Sequence, residues 1–331
     1  MKIHNCIPLE NQDEWNSALM NINHSYFHTW ENCFAMNKTT HFKTFLYLFE
    51  HNGIKIACPL SERIYKGFTD IVTPYGFSGF AGNKDYPEFK NYWNEFVREK
   101  KYVCGYISLN PTSENVTYFE EKDAYISTNL YFIDLRKSLT ELFENLDSNR
   151  KRQIINYKKA ESGFKYDRKI LTDFLLGNYP SYLKRINASQ ANFFTDETLK
   201  EICNSENVYL AGAGDNGKVE ALYVFGYTEF EGNCLLNVAT PEGRQYSPLL
   251  LWNGLKFFRS KKIPLMNLGG GIKEDDSVAL SKERFGAYKL SFKNLKQVYD
   301  EINYEKLCAI EKVISKDRAG YFPAYRKNLT V

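Results

Sequence analysis

A triple glycine followed at a distance by a lysine is where chemistry could gather in this chain, in the segment LGGGIKEDDSVALSKERFG from Leu268 to Gly286. Gly269, Gly270 and Gly271 lack side chains, so a ligand can come close to their backbone, and their amide groups can meet an anion or a developing oxyanion. Beyond them Asp276 or Ser277 caps a short helix, on which Val278, Lys282 and Phe285 share one face by three- and four-residue spacing. A lysine stem among apolar neighbours can aim its ammonium into a cleft, where it would stabilise negative charge on a carbonyl or a leaving phosphate. The same spacing also describes a lysine that snorkels to solvent.

Two further segments carry charge in useful places. DSNRKRQIINYKKAE (147–161) reads as a helix with five basic residues. At about 100° per residue Arg150 shares a face with Ile154 and Tyr157, whereas Arg152 lies with Lys159, and Lys151 with Lys158, on other faces. Arg150 is thus turned towards a core or a pocket, near free backbone amides, and suits a phosphate or a carboxylate; the competing reading is a buried structural ion pair on a solvated basic helix. In PEGRQYSPLLLW (241–252) Ser247 and Pro248 read as N-cap and first residue of a helix that follows a strand. Arg244 and Tyr246 would overhang that helix start, where acyl-CoA-dependent transferases place a pyrophosphate loop. The glycine-rich form of the loop is absent, so coenzyme A is compatible with the segment without being indicated by it.

Other chemistries recede. All five histidines, His4, His24, His28, His41 and His51, fall in the first sixth of the chain, which removes a Ser-His-Asp hydrolase built from later residues. His24 and His28 stand four apart in HSYFH but lack the glutamate of a HExxH motif, so no metal is expected. Seven cysteines, an odd number without a CxxC pair, fit reduced and mostly buried thiols. A net charge of +3 is too small to imply a nucleic-acid groove, and no DNA partner is expected, though a local basic patch could hold a phosphate-bearing substrate. No leader-like start or membrane-length apolar run occurs, and the expected location is the cytoplasm.

The elements that must position these residues are those of an α/β (mixed α+β) protein. Apolar spacing predicts two short helices over 11–38, then strands over 42–50 and 54–64 joined by an Asn-Gly hairpin turn. A helix over 86–101, a strand over 102–109 and an extended segment over 123–135 follow, and Ser138 with Glu141 reads as a capping box. After helices over 138–146 and 148–162 come a strand near 164–170 and more helix to about 205. Three strands, 208–214, 219–230 and 234–240, are then joined by DNGK and EGN turns. A helix over 248–261, strands over 263–268 and 287–299, and a helix over 301–316 complete the chain.

At 331 residues there is room for two domains, with the boundary expected near 130: 1–130, and 131–299 as the catalytic one, the segment from about 300 to 331 packing back on the first. Thr73-Pro74-Tyr75-Gly76, Trp93-Asn94 and Lys100-Lys101 recur in order as Thr240-Pro241-Glu242-Gly243, Trp252-Asn253 and Lys261-Lys262. That order reads either as a duplication or as generic turn chemistry.

Taken together, Asp134-Leu135, Ser148 to Ile154, Lys158-Lys159-Ala160, Leu268 to Gly270 and Lys282 to Gly286 resemble the Fem-type branch of the GNAT acyltransferases, and Thr73 to Gly79 resembles that family's first domain. The resemblance implies tandem GNAT-like domains, each a mixed sheet flanked by helices, and an enzyme that acylates an amino group. Some members take an amino acid from aminoacyl-tRNA to build peptidoglycan bridges; others use acyl-CoA on sugars. Lys282 matches the family's charge-neutralising lysine. Ser281 stands where the family usually has Phe, and the long helical arm by which some members engage tRNA has no counterpart. The expected reaction is N-acylation, with acetyl-CoA as co-substrate, of a nucleotide-linked or phosphorylated amino sugar in cell-wall or polysaccharide synthesis. Lys282 would be catalytic, Arg150, Arg152, Tyr75, Gly269, Gly270 and Phe285 would bind substrate, and Arg244, Tyr246 and Ser247 the donor; Tyr246 and Tyr75 are candidate bases. The alternatives are an aminoacyl-tRNA-dependent bridge enzyme and a non-catalytic binding protein, the latter suggested by Ser281.

Overall fold

Asn52 and Gly53 take left-handed φ angles of 50° and 75°, the geometry a two-residue hairpin needs, and they set the register of strands β2 (Lys43–His51) and β3 (Ile54–Tyr65), with His51 opposite Ile54. A computed structural model describes residues 3–157, 163–215, 217–271 and 276–328. Lys158, Lys159 and Ala160 lie outside the described residues, as does the side chain of Tyr157.

The chain divides into two units, Met1–Ser127 with Ser291–Val331, and Thr128–Leu290. The first contains β1 (His4–Pro8), α1 (Gln12–Leu19), α2 (Trp30–Thr40), β2, β3, β4 (Phe68–Val72), β5 (Ala81–Gly82), α3 (Phe89–Glu99) and β6 (Cys104–Ser108). The second runs through β7 (Ala124–Asp134), α4 (Leu139–Glu144), α5 (Ser148–Tyr157), β8 (Phe164–Lys165), α6 (Arg168–Arg185), α7 (Asp196–Asn204), β9 (Val208–Ala213), β10 (Ala221–Tyr227), β11 (Glu231–Ala239), α8 (Ser247–Ser260), β12 (Leu265–Gly270) and α9 (Ser277–Glu283). β13 (Tyr288–Val298) and α10 (Glu301–Ile310) return to the first unit.

In the first unit the strand order is β1-β2-β3-β4-β6-β13, and among the described residues only the strands β4 and β6 pair in parallel. β2 is buried on both faces. Phe45, Tyr47 and Phe49 pack with α3 in one core, while Leu46 and Leu48 pack with Trp15 and Ile22 in another, the two-residue period of a strand covered from both sides. Tyr304, Leu307 and Cys308 of α10 pack with Val103, Phe322 and Tyr325. Asp70 of β4 is 1% exposed and binds Arg63, Arg326 and the Tyr325 hydroxyl, which ties the C-terminal turn onto the strand.

The second unit repeats the plan, with order β7-β12-β11-β10-β9-β8 and the one parallel pair between β11 and β12. α3 and α8 are the matching crossovers, and both end on a lysine in the left-handed region, Lys101 at φ 57° and Lys262 at 62°. One core collects Ile133, Leu142, Ile154, Phe225, Leu250, Leu255, Phe258 and Phe285. Ser138 and Glu141 form the capping box of α4.

Three local expectations change. The strand near 164–170 is only Phe164–Lys165, because the Asp167 carboxylate accepts the Ile170 amide and starts α6 at Arg168. Glu231, Gly232 and Asn233 are not a turn but the start of β11, their polar groups buried in a network described below. β12 extends to Gly270, so Gly269 and Gly270 belong to the strand itself. Among the described residues no helix is long and apolar enough to cross a membrane.

Candidate active site

β11 and β12 share only three rungs, from Glu231–Leu265 to Asn233–Asn267. Both strands continue beyond them, so they part and leave a fork whose β11 side, Cys234 to Asn237, is half-buried. Leu235 is an extra residue against β10, since Leu236 faces Val224 and Cys234 faces Phe225. β12 carries an extra residue against β7, where Asn267 faces Phe132 and Gly270 faces Leu130. Paired bulges of this kind re-aim side chains at the rim of a sheet.

Onto the β12 side comes α9. Asp276 is its cap, Oδ1 accepting the amides of Val278 at 2.9 Å and Ala279 at 2.8 Å. That start turns Ala279 inward and leaves Val278 exposed, so the predicted Val278–Lys282–Phe285 face is in fact Ala279 with Lys282 one turn on. Lys282 Nζ donates to the Gly270 carbonyl at 2.5 Å and lies 5.8 Å from the centre of the Tyr131 ring. It does not snorkel. Burial pushes its pKa down to about 8, against the opposing pull of Cys234 and Asp276. Gly269 adopts φ +76°, and a side chain there would meet Lys282 Nζ at 3.5 Å.

Arg150 comes from α5, anchored by its own amide on Asp147 Oδ1 at 2.8 Å. Its guanidinium lies 5.3 Å over the Phe285 ring, with Nη2 on Ser281 Oγ at 2.8 Å and Nη1 on Gln153 Oε1 at 2.7 Å. Nε is buried and has no partner among the described residues. Burial lowers the Arg150 pKa, yet an arginine stays cationic throughout the accessible range. Phe285 is core, and Gly286 follows at φ 73° with a would-be Cβ 2.9 Å from Asn145, so the Phe-Gly pair is a packing requirement.

The remaining expected residues fare differently. Arg152 is exposed and donates to Asn149 Oδ1 at 3.3 Å, on the far side of α5 from Arg150. Tyr75 belongs to the first unit, where its carbonyl accepts from Asn32. Tyr246 does not overhang a helix start: it is 3% exposed, packed in the core, and pushed up to about 12 by burial and by its bond to Asp215, which disqualifies it as a base near neutrality. Ser247 is not an N-cap. A 3-10 turn, Glu242–Tyr246, runs directly into α8, and no side chain caps the junction. The Ser247 amide donates to the Arg244 carbonyl, that of Gly243 to Thr240 Oγ1 at 3.1 Å, and Pro248 has none. Arg244 is exposed.

Sequence reasoning passed over three side chains beside the fork. Tyr223 on β10 faces Asn237 on β11 and hydrogen-bonds its side chain. Tyr223 also lies within electrostatic reach of Arg150 and Cys234, and burial raises its pKa. Asn237 Oδ1 is buried without a partner among the described residues. The Cys234 thiol is pushed up to about 12 by burial despite nearby Lys282, so it stays protonated and is no nucleophile. An asparagine inside the apolar run CLLNVAT was the available signal. Among the described residues no group of three or more His, Cys, Asp or Glu side chains is placed to hold a metal ion.

No family model and no curated protein matches the sequence. Solved structures do. FemX, at 9% identity, superposes with a TM-score of 0.66 over 89% of this chain and 98% of its own. The chain shares the fold of FemX. The C-terminal DUF2156 domain of an Agrobacterium fabrum protein described as a lysylphosphatidylglycerol synthetase matches at 13% identity and a TM-score of 0.59, over 87% of this chain and 91% of that one. L-PGS from Bacillus licheniformis matches at 9% and 0.57, over 87% and 92%. Identities this low establish the fold alone and leave the chemistry to the fork.

Proposed function

We propose that the β11–β12 fork is the active site of an N-acyltransferase. The observation that carries this reading is the Lys282 ammonium, half-buried against the Gly270 carbonyl where the two strands part. The acceptor amine attacks the carbonyl carbon of an activated ester or thioester, the C–O or C–S bond breaks, and the amine's proton ends on the departing oxygen or sulfur. Lys282 offsets the negative charge on the carbonyl oxygen during the addition, a role for which a cation withdrawn from water is worth more than an exposed one. The Arg150 guanidinium, held by Ser281 and Gln153, supplies the positive charge for a phosphate or carboxylate of the acceptor. With acetyl-CoA as donor, the acceptor is the amino group of a phosphorylated or nucleotide-linked sugar of cell-wall or surface-polysaccharide synthesis, made in the cytoplasm.

A second donor, aminoacyl-tRNA, is favoured by one observation. At the start of α8, where a CoA pyrophosphate would sit, Pro248 has no amide to offer and the Ser247 amide is already bonded to the Arg244 carbonyl. Thiol release from acetyl-CoA in the presence of amino-sugar phosphates is the expected result of the first reading. Salt-sensitive retention of tRNA, with loss of its amino acid to an added amine, is that of the second. Neither activity in the wild-type protein with any amine acceptor would leave the fold without the proposed reaction.

A further inference from the structure

Three polar side chains are buried within the three rungs before the fork, Glu231 on the first and Asn233 and Asn267 on the last, each no more than 2% exposed. A carboxylate in such a place is costly unless its oxygens are used. Glu231 Oε1 accepts from Asn233 Nδ2 at 2.5 Å and from Asn267 Nδ2 at 3.4 Å. A carboxylate can only accept, so Asn267 must present its NH2 to Glu231 and its Oδ1 to the other side. There Oδ1 accepts the Gly269 amide at 2.8 Å. That bond spans the surplus residue of β12, holds Gly269 in the left-handed region, and leaves the next carbonyl, that of Gly270, on Lys282 Nζ.

We propose that Asn267 and Glu231 are positioning residues for the acyl-transfer site: the carboxylate fixes the Asn267 amide, the amide fixes the Gly269 turn, and the turn seats Lys282. None of the three touches the reacting atoms. Asn233 shares the carboxylate and lies on the rung directly beside Asn267, so the network stands where the strands stop pairing. The inference rests on the acyl-transfer reading for its catalytic consequence but not for its geometry.

The test is a reciprocal swap. Asn267→Asp keeps the acceptor for Gly269 but sets two carboxylates against each other; adding Glu231→Gln restores one donor facing one acceptor. The first readout is the pH dependence of covalent labelling of Lys282 by acetic anhydride, followed by mass spectrometry, which needs no substrate. In the wild type its midpoint is expected near 8, in N267D it moves up towards the ordinary lysine value as the ammonium leaves its seat, and in N267D/E231Q it returns. The second readout is kcat, expected to fall about 10- to 100-fold in N267D with KM within about twofold, and to recover in the double variant. In a Lys282→Ala background, N267D should cost nothing further, because both changes act through the same ammonium. Identical labelling curves in all three proteins, or a double variant no better than N267D, overturns the proposal. An N267D that does not fold while the double variant folds and labels like the wild type supports it. Full activity of Lys282→Ala would instead sink the acyl-transfer reading, and the labelling curves would still judge the seat.

Discussion

The two units use the same strand order to opposite ends. In the first, the chain leaving β4 stays with β6: the Thr73 amide donates to the Tyr106 carbonyl at 3.1 Å, Thr73 Oγ1 accepts the Ser108 amide at 3.1 Å, and Ser78 bridges Leu109 in parallel. Gly79 allows that approach, since a Cβ there would come 2.8 Å from Leu109. In the second unit pairing stops at Asn233–Asn267, and the chain turns away through the Thr240 loop into α8. One fork is zipped and the other open. Each unit also buries a carboxylate in its sheet, Asp70 in β4 and Glu231 in β11. Asp70 binds two arginines and a tyrosine that fasten the C-terminal turn; Glu231 binds two asparagines, Asn233 and Asn267, beside the open fork. The fold tolerates a site where pairing is given up, and the stabilising work is placed in the unit where it is kept.

Asp70→Ala should break the comparison at its structural end with the largest effect. It leaves two arginines uncompensated in a nearly closed site, a change that costs about 3–5 kcal/mol of stability. Urea unfolding should show the loss, while turnover per folded molecule stays close to wild type. If instead activity fell and stability did not, the division of labour between the units would be wrong.

At the other end, Lys282→Ala should lower kcat about 100- to 1,000-fold, as removal of one charge-stabilising donor does elsewhere, with no loss of stability. The pH dependence follows from its state. With its pKa pushed down to about 8, Lys282 is the required cation below that value and neutral above it, so the chemical step falls as pH rises through about 8. Stability has the opposite sign. The folded pKa lies below the unfolded one, so the fold is penalised while the lysine is charged, and that penalty is relieved between about 8 and 10.5. Lys282→Arg should abolish the falling limb within the measurable range, and a rate that rose through pH 8 would assign Lys282 as a base instead.

How much of this was legible depended on the distance over which each interaction acts. The hairpin at Asn52-Gly53, the Ser138–Glu141 box and the Asp276 cap are contacts within a few residues, and residue types alone announce them. The inward turn of Arg150 followed from helical spacing. What the spacing could not say is what it meets, for Ser281 is 131 residues away. Glu231-Gly232-Asn233 looked like a turn because polar residues usually signal water, whereas here they satisfy one another inside the sheet. Ser247-Pro248 looked like a helix start because nothing local reveals a 3-10 turn feeding into it. Tyr223 and Asn237 were hidden among apolar strand residues, and only strand pairing puts them together.

Ser281 offers the smallest and most discriminating test. Its hydroxyl accepts from Arg150 Nη2, while the Phe285 ring lies under the guanidinium. Because Arg150 keeps Gln153 and the ring, Ser281→Ala removes one hydrogen bond worth about 0.5–1.5 kcal/mol. That corresponds to a KM about 2- to 10-fold higher for an acceptor whose phosphate uses Arg150, with kcat unchanged. An acceptor without a phosphate should show no difference, and equal effects on both would mean that Ser281 shapes the pocket generally and that Arg150 reads no anion.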